Sequence, residues 1–127
     1  MSPEADDGLE RSRLELGAAK LLADHGFGAQ AISRSYYAAF YAAEAALLHV
    51  GEVRTKHAGV IAAVGGLLVG QRGLDANVGR LLRSLFERRS RADYELEEVP
   101  REEAVRALAD ATTVVEAIEA WLEASRP

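Results

Sequence analysis

The sequence predicts an all-α protein folded as a single up-and-down antiparallel bundle of about five helices. Three observations predict it. Apolar residues recur at spacings of three and four along nearly the whole chain, with no strand-like alternation. Glycine, proline and aspartate interrupt that pattern at intervals that suit helices joined by short loops. The segment Ser33–Ala43 sets alanine between Tyr36, Tyr37, Phe40 and Tyr41, four of the eight aromatic residues in a chain of 127. Alanine is the strongest helix former, and its small side chain lets neighbouring backbones come close.

The elements follow in order. Asp6 or Asp7 is placed to cap a first helix, with Leu9, Leu16 and Ala19 on one face and Leu14, Ala18 and Leu21 beside them. His25-Gly26-Phe27-Gly28 ends it, with glycine where a left-handed cap residue sits. The second helix is predicted from Ala29 to Val50. Ile32, Tyr36, Ala39, Ala43 and Leu47 form one stripe and Tyr37, Tyr41, Ala45 and Leu48 another, so it is expected to be central and covered on several sides. Gly51 stops it. Thr55 is the expected cap of a third helix running to about Val69, with Val60, Ile61, Val64, Leu67 and Leu68 inward. Gly59, Gly65 and Gly66 each weaken it by about 1 kcal/mol relative to alanine, and close helix packing is the expected return. After a turn at Gln71–Leu74, Asp75 caps a fourth helix from Ala76 to Tyr94, with Val78, Leu81, Leu82, Leu85 and Phe86 inward. Pro100 fits the first turn of a fifth, with Glu102 and Glu103 at its positive end. Its predicted core stripe is Val105, Leu108, Thr112, Val115, Ile118 and Leu122. The whole chain, 1–127, reads as one domain.

Composition excludes several chemistries. There is no cysteine, so disulfides, thiolate catalysis and cysteine-ligated metal sites are ruled out. The longest apolar run, Ala58 to Gly70, falls well short of the roughly 20 residues that cross a membrane. The acidic N-terminus has neither part of a signal peptide, so the expected location is cytoplasmic. No glycine-rich phosphate loop and no Glu-x-x-His pair occurs, and His25, His49 and His57 lack metal-ligand spacing. No metal and no cofactor is expected. Ser33 and Ser35 have no adjacent base and read as polar helix residues.

The net charge of −5 is unevenly spread. Residues 72–91 carry six arginines against Asp75 and Glu87, whereas residues 92–127 carry three arginines against ten acids. Such a basic segment either binds an anion or pairs with the acidic last helix of the same bundle. Arg34, one turn before the tyrosines, has two readings of its own. It pairs with an acid such as Asp93 and buttresses the tyrosines, or it holds a phosphate with Arg91 or Arg88. Lys56 and His57, at the start of the third helix, suit an anion. Tyr94, at the end of the fourth, is placed to stack on a base.

Three pieces together, Ser33-Arg34-Ser35-Tyr36-Tyr37-Ala38-Ala39-Phe40-Tyr41-Ala42-Ala43, Thr55-Lys56-His57-Ala58-Gly59-Val60 and Arg91-Ala92-Asp93-Tyr94, resemble the HEPN family (higher eukaryotes and prokaryotes nucleotide-binding domain), in its small stand-alone prokaryotic branch. The resemblance implies a helical bundle, commonly a homodimer, paired with a small nucleotidyltransferase, often as a toxin–antitoxin couple. Catalytic members are metal-independent ribonucleases with an arginine, four to six intervening residues, and then a histidine. Here Arg88 is followed by Asp93 at that spacing, and a carboxylate differs from an imidazole in charge and proton affinity. Three readings follow. The first is a dimeric binding module that docks a nucleotidyltransferase and contacts nucleotide or RNA through Arg34, Tyr37, Lys56, His57, Arg91, Asp93 and Tyr94. The second is a ribonuclease with catalytic candidates Arg88, Arg91, Asp93, Tyr94 and His57. The third is a structural adaptor without a ligand. All lean on a polar pocket where the tyrosine-rich helix, the start of the third helix and the end of the fourth converge.

Overall fold

Alanine decides the arrangement. In a computed structural model that describes residues 3–94 and 98–125, helix α2 (Gly28–His49) buries Ala31, Ala38, Ala39, Ala42, Ala43, Ala45 and Ala46 almost completely. Helix α1 (Pro3–Asp24) runs antiparallel along one flank of it. The two lie so close that a Cβ on Gly8 would stand 3.2 Å from the Ala45 Cβ. The chain continues through α3 (His57–Ala63), a π-helical stretch (Val64–Val69) and a last short turn α4 (Gly70–Arg72), which together make one rod. Helices α5 (Ala76–Tyr94) and α6 (Arg101–Ala124) complete an all-α bundle, and no strand occurs among the described residues. Helix α6 lies against both α2 and α1, and α5 against both α2 and α6.

Local chemistry explains the ends. Helix α1 closes with Gly26 at φ +84°, the Phe27 N–H reaching back to the Leu22 carbonyl at 2.9 Å. Gly51 at φ +81° repeats the device after α2, with Glu52 N–H on the Leu47 carbonyl at 2.9 Å. Both are Schellman closures, which need a left-handed residue and therefore favour glycine. Asp75 caps α5 as expected, accepting from the Asn77 N–H at 2.9 Å. Three boundaries differ. Helix α1 already begins at Pro3, so Asp6 and Asp7 lie inside it rather than capping it. Lys56, not Thr55, flanks α3, and no side chain caps it. Pro100 stands just before α6, whose first residue is Arg101.

The buried faces also differ from the expected stripes. On α6 the core is Ala104, Ala107, Ala111, Val114, Val115, Ile118 and Leu122, while Val105 is 47% exposed. The alanines turn inward because they meet the alanine surface of α2, where a valine would hold the helices apart. On α1, Leu14 and Leu21 are 66% and 61% exposed instead of joining the core. The glycines of the π-helical stretch do not serve close packing: a Cβ on Gly65 or Gly66 would meet nothing within 4 Å. Helix α2 is covered on three sides only. Arg34, Tyr37, Tyr41, Glu44 and Leu48 form a half-buried stripe along its open edge, between α1 and the α3–α5 side.

Two glycines test this packing in opposite directions. Gly17 is exposed on α1 with open space around its missing Cβ, so Gly17→Ala is expected to raise stability by about 0.5–1 kcal/mol. Gly28 begins α2 against the segment before α6, where a Cβ would stand 2.7 Å from the Val99 carbonyl oxygen, so Gly28→Ala is expected to lower stability. Urea midpoints of the two variants check both signs.

Candidate functional site

The large side chains of α2 have one place to go, the edge its alanines leave open. Tyr36 is fully buried there and Tyr37 half-buried, their rings meeting edge to face at 5.2 Å between centroids. Phe40 and Tyr41 continue the ladder, with Tyr37 and Tyr41 5.9 Å apart. His57, the first residue of α3, lays its ring on Phe40 at 4.5 Å and touches Tyr36, Tyr37 and Phe86 within 6.0 Å. Its Nδ1 shares a 2.5 Å hydrogen bond with the Tyr36 hydroxyl.

Two guanidinium groups converge on the Tyr37 ring. Arg34 lies 5.0 Å from its centre and Arg89, from α5, lies 5.3 Å away and 5.7 Å from the Tyr36 ring. Each also meets a carboxylate. Arg34 Nη1 donates to Glu15 Oε2 of α1 at 2.6 Å, and Glu15 is only 9% exposed. Arg89 Nε approaches Asp93 Oδ2 at 2.9 Å across one helical turn, but off line, so that buried N–H has charge contact without a hydrogen-bond acceptor. Among the described residues neither guanidinium has a partner for its remaining N–H groups. A third guanidinium, Arg11, sits 5.0 Å over Tyr41. Flat, weakly hydrated guanidinium groups on aromatic faces are stabilised by the ring quadrupole.

Burial sets the protonation of the pair at the centre. It raises the Tyr36 phenol well above its ordinary value of 10.0, more than the Arg89 charge lowers it, so the hydroxyl keeps its proton throughout the neutral range. Burial and the neighbouring Arg89 charge together hold His57 below its ordinary 6.5, so the imidazole is neutral at pH 7. Glu44, on the same edge of α2, is raised by burial.

The structure thus brings together four of the residues chosen from sequence: Arg34, Tyr37 and His57 directly, and Asp93 through Arg89. The expected Arg34–Asp93 pair does not form. Arg34 takes Glu15 because α1 packs against that edge of α2, and Asp93 takes Arg89 four residues before it. Arg88 points to the other flank of α5, bonding Ser84 at 3.0 Å and Asp110 of α6 at 2.5 Å. Arg91 is exposed and lines, with Arg88 and Arg106, a separate open cavity of about 630 Å³. Lys56 is exposed, and Tyr94 is 85% exposed at the end of α5. Of the basic segment's arginines, Arg88 alone pairs with α6 among the described residues, so the alternative of pairing with the last helix holds for that one arginine. Arg89, Glu15 and Arg11 were missed. Arg89 was legible in principle, because Leu82, Phe86, Arg89 and Asp93 share one face of α5 at spacings of four, three and four. No cluster of possible metal ligands occurs among the described residues. None of the described helices is long and apolar enough to cross a membrane.

The fold and cluster define a HEPN-type helical bundle. The HEPN domain profile matches residues 5–121, nearly the whole chain, and the protein belongs to the HEPN family. It is 36% identical over 94 residues to a UPF0332 protein of Gloeobacter violaceus, covering 74% of this chain and 75% of that one. It is 32% identical over 115 residues, 91% of this chain and 86% of the other, to a Methanocaldococcus jannaschii protein named "Putative toxin MJ0605". A UPF0332 protein of Thermotoga maritima is 35% identical over 114 residues, covering 89% and 86% of the two chains. The crystal structure of TT1696 from Thermus thermophilus superposes with a TM-score of 0.74 at 22% identity, over 94% of this chain and 99% of that one, which shows the shared fold.

Two outcomes test the cluster's energetics. Glu15→Ala leaves Arg34 without its carboxylate in a half-buried position and is expected to cost about 1–3 kcal/mol, read as a lower urea midpoint at unchanged slope. His57 binds a proton less readily folded than unfolded. Its contribution is therefore present above pH 6.5 and lost as pH falls through 6.5 toward the folded value. Between pH 7.5 and 5.5 the urea midpoint is expected to drop in the parent protein and to drop less in His57→Gln.

Proposed function

We propose that the protein is the HEPN component of a toxin–antitoxin-like pair, working as a homodimeric binding module that docks a small nucleotidyltransferase and holds the phosphate backbone of single-stranded RNA. The observation that carries the RNA reading is the Tyr37 ring flanked by the Arg34 and Arg89 guanidiniums, both with N–H groups that have no partner among the described residues. Tyrosine faces interleaved with arginine suit a single strand, whose bases stack while its phosphates take the cations. The rings of Tyr37 and Tyr41 and the Arg11 charge over Tyr41 extend the same track along α2. Arg91 and Tyr94, exposed near the end of α5, are proposed as outlying contacts, and Lys56 as a further cation beside His57. The toxin reading is supported by the name of the Methanocaldococcus relative. The homodimer and the nucleotidyltransferase partner rest on the family resemblance.

A second reading, metal-independent RNA cleavage, is favoured by one observation: the cluster has its own imidazole, His57, beside the same two rings as Arg89. In that reading Arg89 steadies the phosphate and His57 moves the proton, while Asp93 and Arg88 stand away from the reacting atoms.

Fluorescence anisotropy with a short labelled oligouridylate separates these ideas. Arg34→Ala and Arg89→Ala are each expected to weaken binding at least fivefold and to reduce the log–log salt slope by about 0.7, the value for one lost phosphate contact on a single strand. Binding that is unaffected by either change overturns the RNA reading. Breakdown of the same oligonucleotide in the presence of chelator, abolished by His57→Gln, would establish cleavage. Co-elution with a small nucleotidyltransferase, where one is encoded beside it, tests the partner.

A further inference from the structure

The imidazole and the second guanidinium of the cluster share the same two rings. His57 lies 5.6 Å from the Tyr36 ring centre and 5.9 Å from that of Tyr37, while Arg89 lies 5.7 and 5.3 Å from them. The groups around His57 are few. From α2 come Tyr36, Tyr37 and, through its charge on Tyr36, Glu44; from α5 come Arg89, its partner Asp93 and the apolar Phe86; from its own segment comes the exposed Lys56. No carboxylate bonds the ring, and its second nitrogen, Nε2, has no partner among the described residues. Among the described residues, a ring nitrogen without a partner and spare guanidinium N–H groups therefore adjoin the same two rings.

We propose that His57 and Arg89 form one proton-linked anion receptor, in which a phosphodiester held by Arg89 draws a proton onto His57 and binding tightens as the pH falls. The proposal rests on the anion-binding reading of this cluster and adds its regulation.

The Tyr36 hydroxyl makes the linkage structurally simple. With the imidazole neutral and its hydrogen on Nε2, the hydroxyl donates to Nδ1. When Nδ1 takes a proton from solvent, the hydroxyl turns and accepts from the new N–H, because a phenol does both. The 2.5 Å contact survives the change of charge, and Nε2–H is a donor in both states. Without a ligand, the Arg89 charge opposes that proton. A bound phosphodiester offsets the guanidinium and offers the imidazolium an acceptor, so the charged form is favoured only when the ligand is present. Linkage is reciprocal: a ligand that favours the proton is favoured by it. Each pKa unit by which the ligand raises His57 is worth up to about tenfold in affinity between the neutral and protonated limits.

The test uses the intact protein and a labelled oligouridylate lacking a terminal phosphate, so that the probe itself does not titrate between pH 6 and 8. Parent affinity is expected to rise about three- to tenfold from pH 8 to pH 6, and His57→Gln, which retains a partner for Tyr36, is expected to bind with little pH dependence. Circular dichroism at each pH confirms folding. NMR titration of the parent's His57 ring protons, with and without the oligonucleotide, gives a readout independent of the variant: its midpoint is expected to move up on binding. Binding that is flat with pH, an unmoved His57 midpoint, or a slope retained in His57→Gln would overturn the linkage while leaving the RNA reading standing. No binding at any pH would overturn both.

Discussion

The alanine surface of α2 is the constraint from which the rest of the structure follows. With methyl groups at 38, 39, 42, 43, 45 and 46, α1 and α6 approach closely, and nothing larger fits between them. The bulky residues of the same helix must then emerge along its remaining edge, where α3 and α5 lie. Tyr36, Tyr37, Phe40 and Tyr41 emerge there together, so the aromatic cluster is the geometric complement of the alanine packing. A small-to-large change at the alanine positions would open the bundle and displace the cluster at once, because packed interiors transmit strain.

Aromatic rings on a half-open edge draw cations, and cations in that setting need anions. Guanidinium groups are suited to the place, being planar and weakly hydrated. Their carboxylates come from different elements, Glu15 from α1 and Asp93 from α5. His57 brings in the start of α3 through Tyr36 and Phe40. Four helices are therefore tied to one set of rings. A change at any of these residues therefore acts on the joints of the bundle.

Much of this was legible in the sequence. Helix order and number follow from periodicity and from Gly26, Gly51 and Asp75, whose backbone or capping chemistry is local. Which face each helix buries is not local. The Val105 stripe on α6 looks as apolar as the alanine stripe beside it, and only contact with α2 decides for alanine. Leu14 and Leu21 look inward-facing until α1 meets α2 along Leu9, Ser12 and Ala19. The site divides in the same way. Arg34, Tyr37 and His57 stand out by residue type, and they do meet. The arginine that completes the cluster depends on the rotation of α5: Arg88 and Arg89 are adjacent in sequence but about 100° apart on the helix, so one faces Asp110 and the other Tyr37. Arg34's choice of Glu15 over Asp93 likewise depends on which helix covers which edge.

The position of Asp93 gains its meaning from this geometry. A carboxylate one turn beyond Arg89 neutralises part of the guanidinium charge from within α5, which an imidazole at that position would not do while neutral. The imidazole of the cluster comes instead from α3, where its face is fixed by Phe40 and one nitrogen by Tyr36. The guanidinium and the imidazole thus come from different helices that meet at the same rings. The Arg89 charge acts on His57 and, after burial, helps to hold its proton affinity down. With the two groups carried on α5 and α3, the relative position of these helices sets the geometry of the cluster.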